Sequence, residues 1–222
     1  MTRVKICGIT SAEDALAAVE AGADAIGLVF VPGTPRFVHP DAAPGILRGL
    51  PPFVSTVGVF LDQPLEEVLR IAAGLKLHAV QLHGHESEAF SRGVPLPVIK
   101  ALRVRDAESL RPIDSYPARA FLLDAYVEGR PGGTGTRISW ELAVQAKGRA
   151  PIILSGGLRP ENVGEAVRLV RPFAVDVSSG VERLPGRKDY RKVREFIANV
   201  RHADLDTAPI AYADCHIHPG GW

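Results

Sequence analysis

The sequence predicts a single (β/α)8 barrel, and three observations support this fold class. Short apolar runs rich in β-branched residues alternate eight times with amphipathic stretches between residues 4 and 201. These runs rarely alternate polar with apolar residues, which is typical of strands buried on both faces of a parallel sheet. The chain has 222 residues, and a barrel usually needs about 250 but can form from about 200. A doubly wound open sheet is the alternative that the pattern leaves open.

The predicted elements follow one another without a domain break. The strands are expected at residues 4–7, 25–30, 53–60, 78–82, 98–101, 120–123, 152–154 and 174–177. The helices are expected at residues 13–20, 41–50, 65–73, 86–92, 106–110, 140–147, 160–170 and 189–201. Pro160 opens the seventh helix, where a first-turn proline is tolerated. We therefore expect a barrel domain at 1–203 and an irregular, mobile tail at 204–222.

The composition limits which kinds of molecule the protein is expected to bind. Charged residues make up 23% of the chain and the formal net charge is +1, which argues against a nucleic acid or a membrane surface. No apolar run reaches the ~18 residues of a membrane span, and the N-terminus lacks a signal-peptide pattern. Cys7 and Cys215 do not resemble a secreted disulfide framework. We expect a cytoplasmic monomer or homodimer that binds a small molecule at a local site.

Catalytic groups of such barrels project from the C-terminal ends of the strands and the loops that follow them. This rule selects Cys7 after the first strand, Arg36 in the second loop, Gln81 and His83 after the fourth strand, and Asp124 after the sixth. Four of the five have a structural alternative: a small buried hydrophobe for Cys7, a cap for Asp124, a solvated loop residue for Arg36 and a core histidine for His83. Their convergence on one rim favours a site.

Two glycine-rich loops predict an anion site on the same rim. Gly156 and Gly157 follow the seventh strand, and Ser178, Ser179 and Gly180 follow the eighth. Loops at these places often bind phosphate through backbone N–H groups, and serine adds hydroxyl donors. Two ordinary tight turns are the alternative. A third loop, Gly132-Gly133-Thr134-Gly135, lacks the Lys-Ser/Thr ending of a nucleotide loop and is expected to be a flexible loop beside the sixth strand.

The tail contains four potential metal ligands within five residues, Asp214-Cys215-His216-Ile217-His218. Such a group could bind zinc or nickel. Incidental ligands in a disordered tail are the alternative, which we favour because no predicted element supports the group.

Five motifs taken in order closely resemble the phosphoribosylanthranilate isomerase family of tryptophan biosynthesis. They are Lys5-Ile6-Cys7-Gly8-Ile9-Thr10, Val80-Gln81-Leu82-His83-Gly84, Leu122-Leu123-Asp124 with the 132–135 loop, Ser155-Gly156-Gly157-Leu158, and 176–182 with 186–189. The first and the last are the most specific. The family often has Phe-Asp-Trp where Ile138-Ser139-Trp140 stands, and alanine at Ser155, which affects a helix cap and the fine phosphate geometry.

The resemblance implies an Amadori rearrangement of N-(5-phosphoribosyl)anthranilate without metal or organic cofactor. Cys7 matches the family's general base, Asp124 its general acid and Arg36 the arginine that holds the anthranilate carboxylate. Gln81, His83 and Gly133 are expected to contact the substrate. An unperturbed cysteine has a pKa of ~8.5, so we hypothesise that Lys5, on the same strand face, lowers that of Cys7.

Two rival functions remain at this point. The first is a histidine-pathway barrel isomerase, which has an aspartate at the ends of strands one and five. Cys7 and Lys100-Ala101 occupy those predicted ends here, which speaks against it. The second is a non-catalytic barrel that binds a phosphorylated ligand, which sequence alone leaves open.

Overall fold

The computed structural model describes residues 1–125 and 140–207, and its centre is a closed barrel of eight parallel strands. The strands are β1 (Arg3–Cys7), β2 (Ala25–Val29), β3 (Ser55–Phe60), β4 (Ala79–Leu82), β5 (Val98–Val104), β6 (Ala120–Ala125), β7 (Ile152–Leu154) and β8 (Ala174–Val177). Each strand pairs with the next in chain order, and β1 pairs with β8. This closure confirms the (β/α)8 fold and excludes the open sheet.

Helices connect the strands around the outside of the barrel. They are α1 (Ala12–Glu20), α2 (Ala43–Leu47), α3 (Leu65–Gly74), α4 (Glu88–Arg92), α5 (Trp140–Lys147), α6 (Pro160–Val170) and α7 (Tyr190–Thr207). The helix predicted after β5 is instead a 3₁₀ helix at Ala107–Asp114. Pro112 lies inside it and lacks the N–H that an α-helix would need there. Among the described residues, no helix is long and apolar enough to cross a bilayer.

The last helix is longer than predicted. It continues to Thr207, so residues 204–207 are helical and do not begin the irregular tail. The physical reason is a double contact, because the Asp204 carboxylate accepts hydrogen bonds from the backbone N–H and the hydroxyl of Thr2, both at 2.7 Å. Ala203 is buried beside this contact. Residues 208–222, including the group from Asp214 to His218, lie outside the described residues.

The barrel interior has an apolar floor and a polar layer above it. The floor consists of small and medium side chains that form their own cluster: Ala101, Ala120, Leu122, Ile153 and Ala174. Inward positions alternate along each strand, so the next layer towards the C-terminal ends contains Lys5, Gln81 and Asp176, all buried. A buried charge must be paired to be tolerated, and this layer places paired charges directly below the barrel mouth.

A small hairpin that the sequence did not predict follows β8. A short 3₁₀ turn (Ser179–Val181) leads into β9 (Glu182–Leu184), which pairs antiparallel with β10 (Arg187–Lys188) before α7 begins. The fully buried side chain of Lys188 donates from Nζ to the backbone carbonyl of Cys7 at 2.6 Å. The hairpin therefore packs against the end of β1.

Candidate active site

The C-terminal mouth of the barrel contains a cavity of about 460 Å³, a volume suited to a small-molecule ligand. The predicted site residues in the described ranges all line it: Cys7, Arg36, Gln81, His83, Asp124, Gly156, Gly157, Ser178, Ser179 and Gly180. Gly133 lies outside the described residues. The structure thus brings side chains from β1, β4 and β6 together with the loops after β2, β7 and β8.

Cys7 and Lys5 share the space that a glycine leaves inside the barrel. Cys7 is 7% exposed and Lys5 is 4% exposed. A Cβ atom added to Gly27 of β2 would lie 2.8 Å from Sγ of Cys7 and 3.1 Å from Nζ of Lys5. Any side chain at this position would therefore push the thiol and the ammonium out of place.

Burial and the nearby charge of Lys5 shift the pKa of the Cys7 thiol in opposite directions. Burial raises the pKa of Cys7, and the nearby Lys5 ammonium offsets only part of that rise. Burial lowers the pKa of Lys5, but the Asp176 carboxylate and the Cys7 thiolate outweigh it, so the pKa of the ammonium is raised. Lys5 is thus charged at neutral pH. Its charge lowers the pKa of Cys7, as hypothesised, but burial raises that pKa by more.

Gln81 connects Lys5 to the histidine at the end of β4. Nζ of Lys5 lies 2.7 Å from Asp176 Oδ1 and 3.0 Å from Gln81 Oε1. The amide nitrogen of Gln81 lies 3.2 Å from Nδ1 of His83. His83 Nε2 in turn lies 3.6 Å from Oδ2 of Asp124. A row of polar groups therefore crosses the barrel from β8 to β6, with hydrogen-bond distances at every step except the last, from His83 to Asp124.

Arg36 is held in place by a carboxylate from the hairpin. Its Nε and Nη2 donate to the two oxygens of Glu182 at 2.9 and 2.8 Å. Glu182 also pairs with Nζ of Lys188 at 3.0 Å. Burial raises the pKa of Glu182, but Arg36 and Lys188 outweigh it, so the pKa is lowered. A guanidinium has five N–H donors, and those not facing Glu182 remain for a second acceptor.

The loops after β7 and β8 form a concave backbone surface. Gly156 and Gly157 both have left-handed backbone angles, with φ of 78° and 68°, which glycine adopts without steric cost. A Cβ atom on Gly180 would collide with the carbonyl oxygen of Leu158, so the two loops touch. The Ser178 hydroxyl is buried and has no hydrogen-bond partner within the described residues. This arrangement has room and a donor for an anion.

A sequence model of N-(5'-phosphoribosyl)anthranilate isomerase matches residues 4–199. The chain belongs to this family. The N-(5'-phosphoribosyl)anthranilate isomerase of Geobacter metallireducens is 56% identical over 201 residues, which cover 90% of this chain and 100% of that protein. The resemblance of the five sequence motifs is thereby confirmed over nearly the whole barrel.

Solved structures of the phosphoribosylanthranilate isomerase family share the fold. The crystal structure from Thermotoga maritima has a TM-score of 0.85 and 45% identity, and the match covers 91% of this chain and 100% of that one. A second phosphoribosyl anthranilate isomerase, 44% identical with a TM-score of 0.82, was solved in complex with reduced 1-(o-carboxyphenylamino)-1-deoxyribulose 5-phosphate. That match covers 91% of this chain and 100% of the compared chain.

Family membership removes the histidine-pathway alternative, but the predicted end of the fifth strand, which had spoken against it, was wrong. Lys100 and Ala101 do not end strand five, because β5 continues to Val104. Arg103 occupies the inward position near its end, in register with Asp124 of β6, and lines the cavity. No aspartate stands there, so the conclusion holds on different residues.

Four site residues were missed as candidates from the sequence: Arg103, Asp176, Glu182 and Lys188. A longer fifth strand would have pointed to Arg103, since it lies two residues beyond the inward Ala101. Asp176 is a charged residue inside an apolar strand, which is a signal in itself. Glu182 and Lys188 belong to the fifth motif, but they lie on a hairpin whose strands of 3 and 2 residues are too short to show a periodic pattern. Among the described residues, no group of three metal-ligating side chains is arranged to hold an ion.

Proposed function

We propose that the chain converts N-(5-phosphoribosyl)anthranilate into 1-(2-carboxyphenylamino)-1-deoxyribulose 5-phosphate, with Cys7 as general base and Asp124 as general acid. The observation that carries the proposal is that one cavity contains the thiol, the carboxyl group, Arg36 and the loops after β7 and β8. The substrate has two anionic groups, a carboxylate and a phosphate, and a reacting sugar between them. The cavity offers a separate partner to each.

The proposed reaction starts with ring opening. Asp124 gives its proton to the furanose oxygen, the bond from C1 to that oxygen breaks, and the nitrogen lone pair forms an iminium with C1. The Cys7 thiolate then removes the proton from C2. The electrons of that C–H bond form the C1–C2 double bond, and the iminium electrons return to nitrogen. The resulting enol gains a proton at C1 from solvent and loses its hydroxyl proton to solvent, which gives the ketone. Asp124 then regains a proton from solvent and Cys7 releases one, so both return to their starting forms.

The proposed binding contacts pair each anionic group of the substrate with a different part of the cavity. The phosphate binds the backbone of Gly156, Gly157, Ser179 and Gly180 and the hydroxyl of Ser178, which is buried and unpaired within the described ranges. The anthranilate carboxylate binds the edge of Arg36 that does not face Glu182. The steps are proton transfers and need no metal or organic cofactor. Contact by Gly133, cytoplasmic location and a monomeric or homodimeric state stay predictions.

Lys5→Met is expected to raise the pKa of the Cys7 thiol further, because it removes the ammonium that offsets part of the effect of burial. The appearance of thiolate absorbance with increasing pH measures this, with Cys7→Ser as the blank. Lys76→Met, at an exposed position, is the matched control. An unchanged titration in Lys5→Met would refute the role of Lys5.

Arg36→Lys is expected to raise KM about tenfold to a hundredfold, with a much smaller change in kcat. A lysine is a point charge and cannot bind Glu182 and the substrate carboxylate through two paired edges. Steady-state kinetics separate the two parameters. Arg48→Lys, at an exposed position, should leave both unchanged. A loss confined to kcat would contradict carboxylate binding by Arg36.

Turnover tests the function as a whole. Phosphoribosylanthranilate is generated in situ, and the loss of its fluorescence is followed after the protein is added, with the product identified by mass spectrometry and NMR. We expect rapid loss and the aminoketone product. No turnover by folded protein would overturn the proposed reaction, and retained binding of inorganic phosphate would then indicate a non-catalytic phosphate-binding barrel.

A further inference from the structure

The Lys5 ammonium determines which groups donate and which accept along the polar row from Lys5 to His83. An ammonium group has three donors and no acceptor. Gln81 must therefore present its carbonyl oxygen to Lys5, at 3.0 Å. The NH₂ group of the same amide then faces Nδ1 of His83, at 3.2 Å. This NH₂ group can only donate, so Nδ1 must accept with its lone pair.

This acceptance determines where the imidazole carries its proton. In a neutral imidazole one ring nitrogen accepts and the other donates. Since Nδ1 of His83 accepts, the hydrogen is on Nε2. That nitrogen is buried and has no hydrogen-bond partner within the part of the chain that the structure describes. It lies 3.6 Å from Oδ2 of Asp124, slightly beyond hydrogen-bond distance.

We propose that Lys5 and Gln81 hold His83 as the neutral Nε2–H tautomer. His83 is then a positioning residue, which donates a hydrogen bond from Nε2–H to Oδ2 of Asp124 during the reaction. The inference rests on the proposed function for the role of Asp124, but the tautomer does not. Catalytic hydrogen bonds are often long without substrate and shorten in the complex. A small movement of either side chain closes the gap.

A donor on one oxygen suits a carboxyl group that must release a proton from the other. With Oδ2 of Asp124 facing His83, the second oxygen of the carboxyl is left to carry the proton, and Asp124 lines the cavity. The same donor stabilises the carboxylate that remains after the proton has left. A neutral imidazole does this without placing a full positive charge beside Asp124.

A hydrogen on Nδ1 of His83 would not fit this row. A cationic imidazole donates from both nitrogens, so Nδ1–H would face the NH₂ group of Gln81. Rotation of the Gln81 amide would relieve this clash, but it would turn the NH₂ group towards the Lys5 ammonium. Lys5 cannot leave, because it is paired with Asp176 at 2.7 Å. The other charged or ionisable groups around the cavity are Cys7, Arg36, Arg103 and Asp124.

Two-bond ¹H–¹⁵N correlation spectra of histidine-labelled protein at neutral pH test the tautomer directly. We expect a protonated Nε2 and an unprotonated Nδ1 for His83, with the resonances assigned by their loss in His83→Gln. His85 is 90% exposed at its side chain, and His85→Gln serves as the assignment control with unchanged activity. A cationic His83 or an Nδ1–H tautomer in the wild-type protein would overturn the proposal.

Gln81→Glu tests the link between tautomer and catalysis. Its carboxylate accepts from Nδ1–H, so we expect the His83 proton to appear on Nδ1. We also expect kcat to fall about tenfold to a hundredfold, the value of a hydrogen bond to a charged group, with a smaller change in KM. Unchanged kcat despite a switched tautomer would refute the positioning role. An Nε2–H tautomer in a wild-type protein without turnover would support the tautomer, but it would overturn the proposed function and with it the positioning role of His83.

Discussion

Cys7→Ser is expected to lower kcat about 10²-fold or more while the barrel remains folded. A serine hydroxyl fits the space of the thiol, but it ionises far less readily, so it cannot remove the C2 proton at neutral pH. The turnover assay measures the loss, and circular dichroism with thermal unfolding checks the fold.

The chain offers a matched control for this substitution. It has 2 cysteines, and Cys215→Ser changes the one that lies outside the described residues. We expect this control to keep wild-type kcat. If Cys7→Ser retained more than about a tenth of wild-type kcat, a loss smaller than a positioned proton-transfer group provides, Cys7 would not be the base.

Asp124→Asn is expected to lower kcat about 10²-fold to 10⁴-fold, with little change in KM. Asparagine keeps the size of the side chain but has no acidic proton to give to the furanose oxygen, so ring opening becomes slow. Asp206→Asn is the control, since Asp206 lies on α7 and pairs with Arg168 on a partly exposed surface. A large rise in KM with kcat preserved would show instead that Asp124 binds substrate.

Most residues of the candidate site could be predicted because the active-site residues of a barrel lie at the C-terminal ends of its strands and in the loops that follow them. Strand ends determine the rim, so the position of Cys7 or Asp124 in the sequence was enough to place it at the cavity. The glycine-rich loops after β7 and β8 followed in the same way. The strands at 152–154 and 174–177 were predicted with the bounds that the structure gives.

The contacts between these residues depend on long-range register, which the sequence does not contain. Lys5 lies opposite Asp176 because β1 pairs with β8 in a particular register, and only closure of the barrel establishes that pairing. Arg36 meets Glu182 across 146 positions of the chain. The end of α7 was misplaced for a similar reason, since Asp204 is held by Thr2 at the other end of the barrel domain.

The pH dependence of kcat/KM in the wild-type protein, compared with the thiolate absorbance of Cys7, tests the assigned base most directly. Because kcat/KM reports ionisations of the free enzyme, its increase with pH should follow the same pKa as the thiol. Burial raises that pKa above its ordinary value, so activity should still be rising at slightly alkaline pH. An increase that is complete well below the pKa of the thiol would show that another group removes the proton.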